Sequence, residues 1–340
     1  IQIAVALIDY HRAMIAKTKA AAMLTDIICI TGAGRSGSTI MDRVLGAIEG
    51  VASFNEMHVI LKPDYMDKQV CSCGKDRDDC PFWIAVFDEL SARHDIARMT
   101  QLGAKYDRSS AMPRLMFGWL GRSGREEVAA YAAFTADKFR TLAKHAGADT
   151  IIDSSKIPTR ALLLRKYAKL PVRTVHLVRH PGAVASSWMR KKKDPSIASG
   201  EMTQYTAGHA LKVWAFRNLA SELLRFWMPY LRLKYETFAE KPRATVDQII
   251  GFAPHLSGRE NGFVSDNEVN LPPLHSLSGN PDRFTSGVTE IREDTAWKTS
   301  TVGRQIGLLR LLIGPIARRY GYRLNPEPQA DAVAAQTVSK

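Results

Sequence analysis

The chain has 340 residues, 45% of them hydrophobic and 24% charged, which suits a soluble globular protein of one large α/β domain or two small ones. Lys and Arg outnumber Asp and Glu by 47 to 34, a net charge of +13 that points to an anionic ligand, substrate or surface. No run of about 18 apolar residues is present to span a membrane, and four cysteines are too few for a disulfide-built scaffold, so a cytoplasmic protein is expected.

Residues 1–23 read as a packed helix or a loose leader and lack the basic start of a signal peptide. The apolar run Ile27 to Ile30 then reads as a short buried strand. It feeds the turn Gly32-Ala33-Gly34-Arg35-Ser36-Gly37-Ser38-Thr39, after which apolar residues recur at helical spacing from Thr39. Strand, Gly-rich turn and helix start together make an anion cradle, because the first N–H groups of a helix have no partner within it and the helix dipole favours negative charge there. The spacing follows the P-loop pattern except that Ser38 stands where the lysine belongs. A nucleoside triphosphatase sets that lysine on its β- and γ-phosphates, so this cradle is expected to hold a different phosphate ester.

The segment Ser53 to Ile60 is expected to return to the cradle and bring two proton acceptors, Glu56 and His58, near the anion. Residues 60–125 look like an insertion or lid, with a turn-rich hinge at Gly118 to Gly124. Cys71, Cys73 and Cys80 cluster there, but the spacing is not C-x2-C and no fourth ligand is close in sequence. A loop with thiols or one disulfide is favoured over zinc, for which only His58 or Cys29 could serve through the fold. A helix follows from Glu126 to His145, ended by Gly147, and then a strand, Thr150 to Asp153. Lys156 stands just beyond that strand end, where open α/β sheets gather their ligands, and Pro158 starts the next helix.

Val172 to Val178 repeats the pattern. Arg179 leaves that strand, and Ser186 and Ser187 lie on the helix after it, so together they could grip a second phosphate. Residues 201–228 read as a long helix whose aromatics, Trp214, Phe216, Phe226 and Trp227 among them, belong to the core. A strand at Leu231 to Glu236 and a helix from Pro242 to Ile250 complete the alternation. Residues 254–290 read as a long loop, functional for its length, with Asn280 and Arg283 set for ligand contact. A last helix, Val302 to Tyr320, is expected to be interrupted at Gly314-Pro315, and 326–340 to be a disordered tail. The basic run Arg190 to Lys193 reads as a solvated helix end, and scattered cations without interleaved aromatics argue against nucleic acid. The order of elements describes a three-layer α/β/α domain over residues 24–325 with a central parallel sheet.

Three of these motifs, in this order, resemble those of sulfotransferases that use 3′-phosphoadenosine 5′-phosphosulfate (PAPS). Gly34-Arg35-Ser36-Gly37-Ser38-Thr39 resembles their 5′-phosphosulfate loop, and Arg179 with Ser187 their 3′-phosphate motif. Gly279-Asn280-Pro281-Asp282-Arg283-Phe284 is similar to a late cofactor-closing loop of bacterial members, and Cys71 to Trp83 has the look of several bacterial and plant ones. The resemblance runs from Asp26 to Tyr322 and implies a P-loop-like fold and sulfuryl transfer by in-line displacement, with adenosine 3′,5′-bisphosphate (PAP) as product and no metal required. It implies that Arg35 and the N–H groups of residues 36–39 hold the 5′-phosphosulfate, that Arg179 and Ser187 hold the 3′-phosphate, and that Asn280 and Arg283 close over the cofactor. Lys156 would follow the leaving oxygen. The histidine pattern of the cytosolic enzymes is absent; the glutamate of protein-tyrosine sulfotransferases, counted from Arg35, falls on Glu56, which is favoured as base over His58. Ala183 replaces a frequent aspartate and Gly279-Asn280-Pro281 an Arg-Lys-Gly signature. The acceptor therefore stays open among small molecules, glycans, lipids and peptides, with residues 60–125 expected to line its pocket. A small-metabolite kinase using Asp153 for magnesium, or a non-catalytic nucleotide-binding protein, are the alternatives.

Overall fold

A strand buried on both faces needs apolar residues at every position. The first strand, β1 (Asp26–Thr31), meets that demand from Ile27 to Ile30: Ile27 and Cys29 join one core, Ile28 and Ile30 the other. The structure, a computed structural model, describes residues 24–61, 69–191, 203–299 and 309–324. The expected leader, 1–23, and the tail, 326–340, lie outside them, as do Lys192 and Lys193 of the basic run.

After β1 come helix α1 (Ser38–Leu45) and β2 (Val51–Ser53). Four helices follow: α2 (Pro81–Ser91), α3 (Ile96–Tyr106), α4 (Met112–Phe117) and the long α5 (Arg122–Ala146). Gly147 ends α5 in the left-handed conformation, as its position suggested. Next are β3 (Thr150–Asp153), α6 (Pro158–Leu162), β4 (Val172–Val178), α7 (Pro181–Met189) and α8 (Ala207–Leu223). The chain continues through β5 (Tyr230–Lys234), α9 (Tyr235–Glu240), α10 (Pro242–Phe252), β6 (Glu268–Leu271), β7 (Gly287–Glu290) and α11 (Leu309–Arg319).

The main sheet has the order β2-β3-β1-β4-β5, and every pairing in it is parallel. The chain goes to one side of β1 for β2 and β3 and to the other for β4 and β5. A crevice therefore opens at the C-terminal end of β1, the switch point where such sheets bind ligands. One face is covered by α1, α9 and α10 through Met41, Val44, Phe238 and Ile249. The other is covered by α2 to α6 through Trp83, Met99, Phe134 and Leu162. Trp214, Val184 and Ala317 form a third cluster beside β4. The expected three-layer α/β/α arrangement is the one observed.

Four details differ from the sequence reading. The part of 60–125 from Pro81 onward is largely helical and contributes Trp83, Val86, Leu90, Met99 and Leu115 to the main core, with long-range contacts to α5 that local patterning does not reveal. The 254–290 loop contains an antiparallel pair, β6 with β7, whose short strands sit among turn residues. Pro315 lies inside α11 rather than breaking it; the acceptor it leaves without a donor belongs to exposed Leu311, where water can serve. Of the aromatics read as core, Trp214 is buried, but Phe216 is 49% and Phe226 73% exposed. Phe216 on α8 and Phe226, just past its end, lie beside Met112 and Met116.

If α2 is part of the core, Leu90→Ala should remove about 2–5 kcal/mol from the single global unfolding transition in urea. A separate early transition, with the main one unmoved, would mark 81–117 as an appended unit.

Candidate active site

All five parallel strands deliver side chains to one cleft of about 650 Å³. The turn after β1 brings Gly34, Arg35, Gly37, Ser38 and Thr39; the segment after β2 brings Glu56 and His58; Ser155 and Lys156 follow β3; Arg179 and Ser187 follow β4; and Tyr235 follows β5.

The cradle depends on Gly37. Its φ of 82° is left-handed, and a Cβ there would stand 2.3 Å from the Tyr235 ring, so no other residue fits without displacing that ring. Gly37 caps α1 without any side-chain hydrogen bond, leaving the first turn of the helix open to a ligand. Ser36 is buried beneath the turn, and its Oγ has no hydrogen-bond partner among the described residues. The Arg35 guanidinium lies over the Trp188 ring at 4.8 Å, and Trp188 in turn stacks on Tyr205 at 4.3 Å.

Behind the cradle, Asp42 on α1 accepts hydrogen bonds from Ser53 and Ser154, fastening the helix to the ends of β2 and β3. Arg43, also buried, donates to the carbonyls of Pro272, Arg283 and Thr285 and thereby holds the 279–284 loop against α1. Neither role is visible in sequence, because the partners are far apart along the chain.

Glu56 and Lys156 meet across the cleft, with Lys156 Nζ 2.5 Å from Glu56 Oε1. Arg35, Asn55 and Lys156 all have φ near +60°, a region that side chains other than glycine enter at a cost of about 1 kcal/mol or more. Half-buried Arg217 on α8 lines the same wall and donates to the Lys156 carbonyl at 3.2 Å. Burial lowers its pKa, and the nearby Glu56 charge opposes the shift.

Arg179 is 5% exposed. Its guanidinium lies 4.3 Å from the Tyr235 ring centre and donates to the Arg35 carbonyl at 3.1 Å. It also meets the Asp294 carboxylate at 3.3 Å, which Arg190 reaches at 2.8 Å. Burial would raise the Asp294 pKa, but the hydrogen bond and charge of Arg190, with Arg179, outweigh it and hold the carboxyl below its usual value. Arg190, read as a solvated helix end, thus lines the cleft one turn after Ser187.

Asn280 and Asp282 also line the cleft. Arg283, expected to close over the cofactor, is 1% exposed and donates to the carbonyls of Gly279 and Val70, so it braces the loop from inside. No described residue of 69–125 lines the cleft. Asp153 is also out of reach: Arg160 and Ser155 engage both of its oxygens in a buried network that includes Asp107. The magnesium carboxylate of a P-loop kinase is therefore committed elsewhere, and Ser38 replaces the lysine. Cys71, Cys73 and Cys80 are unbonded to one another, and they gather around His275 rather than Cys29 or His58. The fourth group comes from the 254–290 segment, too distant in sequence to be paired with them by spacing.

The cleft carries six cationic side chains (Arg35, Lys156, Arg179, Arg190, Lys191, Arg217) against three carboxylates. It is built for a polyanion.

The model of the Sulfotransferase family matches residues 27–254, more than half of the chain. Among solved structures, the chain is similar to the sulfotransferase domain of the Synechococcus PCC 7002 olefin synthase, at 20% identity and a TM-score of 0.48, over 89% of this chain and 97% of that one. It is also similar to the sulfotransferase domain from the curacin biosynthetic pathway, at 17% and 0.48 over 89% and 100%. A sulfotransferase from Mycobacterium avium follows at 14% and 0.39, over 72% and 68%. No curated protein matches.

The Asp42 carboxyl is pushed up to about 7 from an ordinary 3.8 by burial, which outweighs the hydrogen bonds from Ser154 and Ser53. Between about pH 4 and pH 7 the folded chain keeps a proton that the unfolded chain has released, so stability from this group falls as pH rises through that window. Asp42→Asn should therefore gain on the wild type from pH 4 to pH 8, by on the order of a few kcal/mol at the upper end, in thermal melts. A difference that does not vary with pH would contradict the burial effect.

Proposed function

Because the chain belongs to the sulfotransferase family, we propose that it moves a sulfuryl group from PAPS to a hydroxyl or amine acceptor, using Glu56 as base. The observation that carries this is the meeting of the cradle, the Glu56–Lys156 pair and Arg179 in one cationic cleft. The donor, when bound, supplies the sulfuryl group on a 5′-phosphate leaving group. The open first turn of α1 and Arg35 hold the 5′-phosphosulfate, with Gly34, Ser36, Gly37, Ser38 and Thr39 supplying close backbone and N–H groups. Arg179 and Ser187 hold the 3′-phosphate, which takes the place of the Asp294 carboxylate on Arg179. The stacked Trp188 and Tyr205 offer a flat wall to adenine.

Glu56 accepts the proton of the acceptor as its oxygen or nitrogen bonds to sulfur. The bond from sulfur to the 5′-phosphate oxygen breaks in line with the attack, and PAP leaves. Negative charge grows on that oxygen, and Lys156, already held in place through its backbone by Arg217, neutralises it. Lys156 thus serves two partners in turn: it pairs with Glu56 before transfer and meets the leaving group during it. His58 lines the same wall and shapes the acceptor side. Asn280 closes the cleft, on a loop that Arg283 braces. We place the enzyme, a single domain over 24–325, in the cytoplasm, which suits four cysteines that form no disulfide.

The test is transfer of radiolabelled sulfate from PAPS to a panel of phenols, sugars, lipids, tyrosine peptides and amines. Glu56→Gln should lower turnover about a hundredfold or more while PAP affinity holds. Arg35→Ala and Arg179→Ala should each weaken PAP binding, with loss of about 3 kcal/mol of transition-state stabilisation where the donor faces developing charge. Retained turnover in Glu56→Gln with loss in His58→Gln would reassign the base. PAP binding unchanged in both arginine variants would overturn the site.

A further inference from the structure

We propose that Cys71, Cys73, Cys80 and His275 form a closed zinc site that pins the Cys71–Cys80 segment to the loop carrying His275. It does not depend on the transfer chemistry proposed above.

A tetrahedral zinc with Zn–S of about 2.3 Å and Zn–N of about 2.0–2.1 Å sets its sulfurs about 3.8 Å apart and its sulfurs about 3.5 Å from the imidazole nitrogen. The Cys80 sulfur lies 3.7 Å from that of Cys73 and 3.8 Å from that of Cys71. His275 Nδ1 lies 3.4 Å from the Cys80 sulfur and 3.6 Å from the Cys71 sulfur. All four ligand atoms fall within 4.8 Å of one another, which leaves room for a single ion at their centre. Three thiolates and an imidazole suit zinc, and four protein ligands leave no open coordination position, so the site is structural.

The surroundings hold the ligands in place. Val70 and Asp76 pair across a tight hairpin, Gly74 turns it with a φ of 89°, and the Cys71 N–H donates to the Lys75 carbonyl at 2.8 Å. Cys80 sits just before α2, and Phe82 of that helix stacks on the His275 ring at 4.8 Å. Ser72 and Ser276 then cross-link the two segments: the Ser72 N–H donates to the Ser276 carbonyl at 2.8 Å, and the Ser276 N–H to Ser72 Oγ at 2.9 Å. From Ser276 the path continues to the cleft, because Asn55 donates to Ser276 Oγ at 2.9 Å and Ser278 Oγ donates to the Glu56 carbonyl at 2.9 Å. The metal would therefore order the backbone that presents Glu56.

The full chain is purified from zinc-containing medium, dialysed against EDTA and assayed for metal by mass spectrometry. A second batch is loaded with cobalt(II). The site predicts one equivalent of zinc, and for cobalt the visible bands of a tetrahedral ion with a thiolate charge-transfer band. Cys80→Ser, His275→Ala and Cys73→Ser, the last at an exposed position, should each lower metal content more than about tenfold, while Cys29→Ser should keep it. Stripping the metal should speed hydrogen exchange at the Ser72 and Ser276 amides. Metal-free protein that takes up no cobalt, or three cysteines reacting as free thiols or as a disulfide, would overturn the assignment, whether or not any cysteine variant folds.

Discussion

The cleft hangs from the parallel pairing of β1 with β3 on one side and β4 on the other. Because neighbouring strands run the same way, each ends at the same edge of the sheet. Because the chain changes side at β1, the helices that follow β1 and β4 diverge and leave a crevice between them. The parallel register thus turns five separate segments into one site. Strands buried on both faces are mostly apolar, and the buried polar groups they do carry, such as His176, are paired inside with Asn218, so the groups that reach the cleft stand past the strand ends. Glu56, Lys156 and Arg179 all stand just past those ends.

Charge then shapes what the ends can do. Six cations facing three carboxylates would repel one another without partners, and the fold supplies internal ones: Glu56 for Lys156, and Asp294 for Arg179 and Arg190. Each internal partner sits where the proposed chemistry puts a group that must move or act. In that proposal Asp294 stands in for a phosphate, and the Lys156 ammonium passes from Glu56 to the leaving group. Left-handed backbone at Arg35, Asn55 and Lys156 is a further cost, borne beside the cleft because the packed sheet and the carbonyl contact from Arg217 enforce it.

Local chemistry was legible in the sequence wherever it was carried by residues close along the chain. The glycine turn, the apolar strands, the cap at Gly147 and the cations just past the strands all follow from short-range rules, and so did the family motifs. What failed depended on contacts distant in sequence. Residues 81–117, read as part of an insertion or lid, pack against the main core, and Arg283 turns inward because Gly279 and Val70 take its guanidinium. Arg217 and Arg43 carry no local signal at all, and His275 joins three cysteines almost two hundred residues away, which spacing rules for metal sites cannot register. Exposed Phe216 of α8 shows the converse: an apolar residue at helical spacing marks a helix, not the side that is buried.

The central claim is that this cleft reads two phosphates on one adenosine, with the cradle taking the 5′ group and Arg179 the 3′ group. Calorimetric titration of the purified chain with PAP, adenosine 5′-monophosphate and magnesium-ATP addresses it most directly. The account predicts that PAP binds about a hundredfold tighter than adenosine 5′-monophosphate, the worth of charge-assisted contacts to one further phosphate. Equal affinity for the two, or tightest binding of magnesium-ATP, would contradict it.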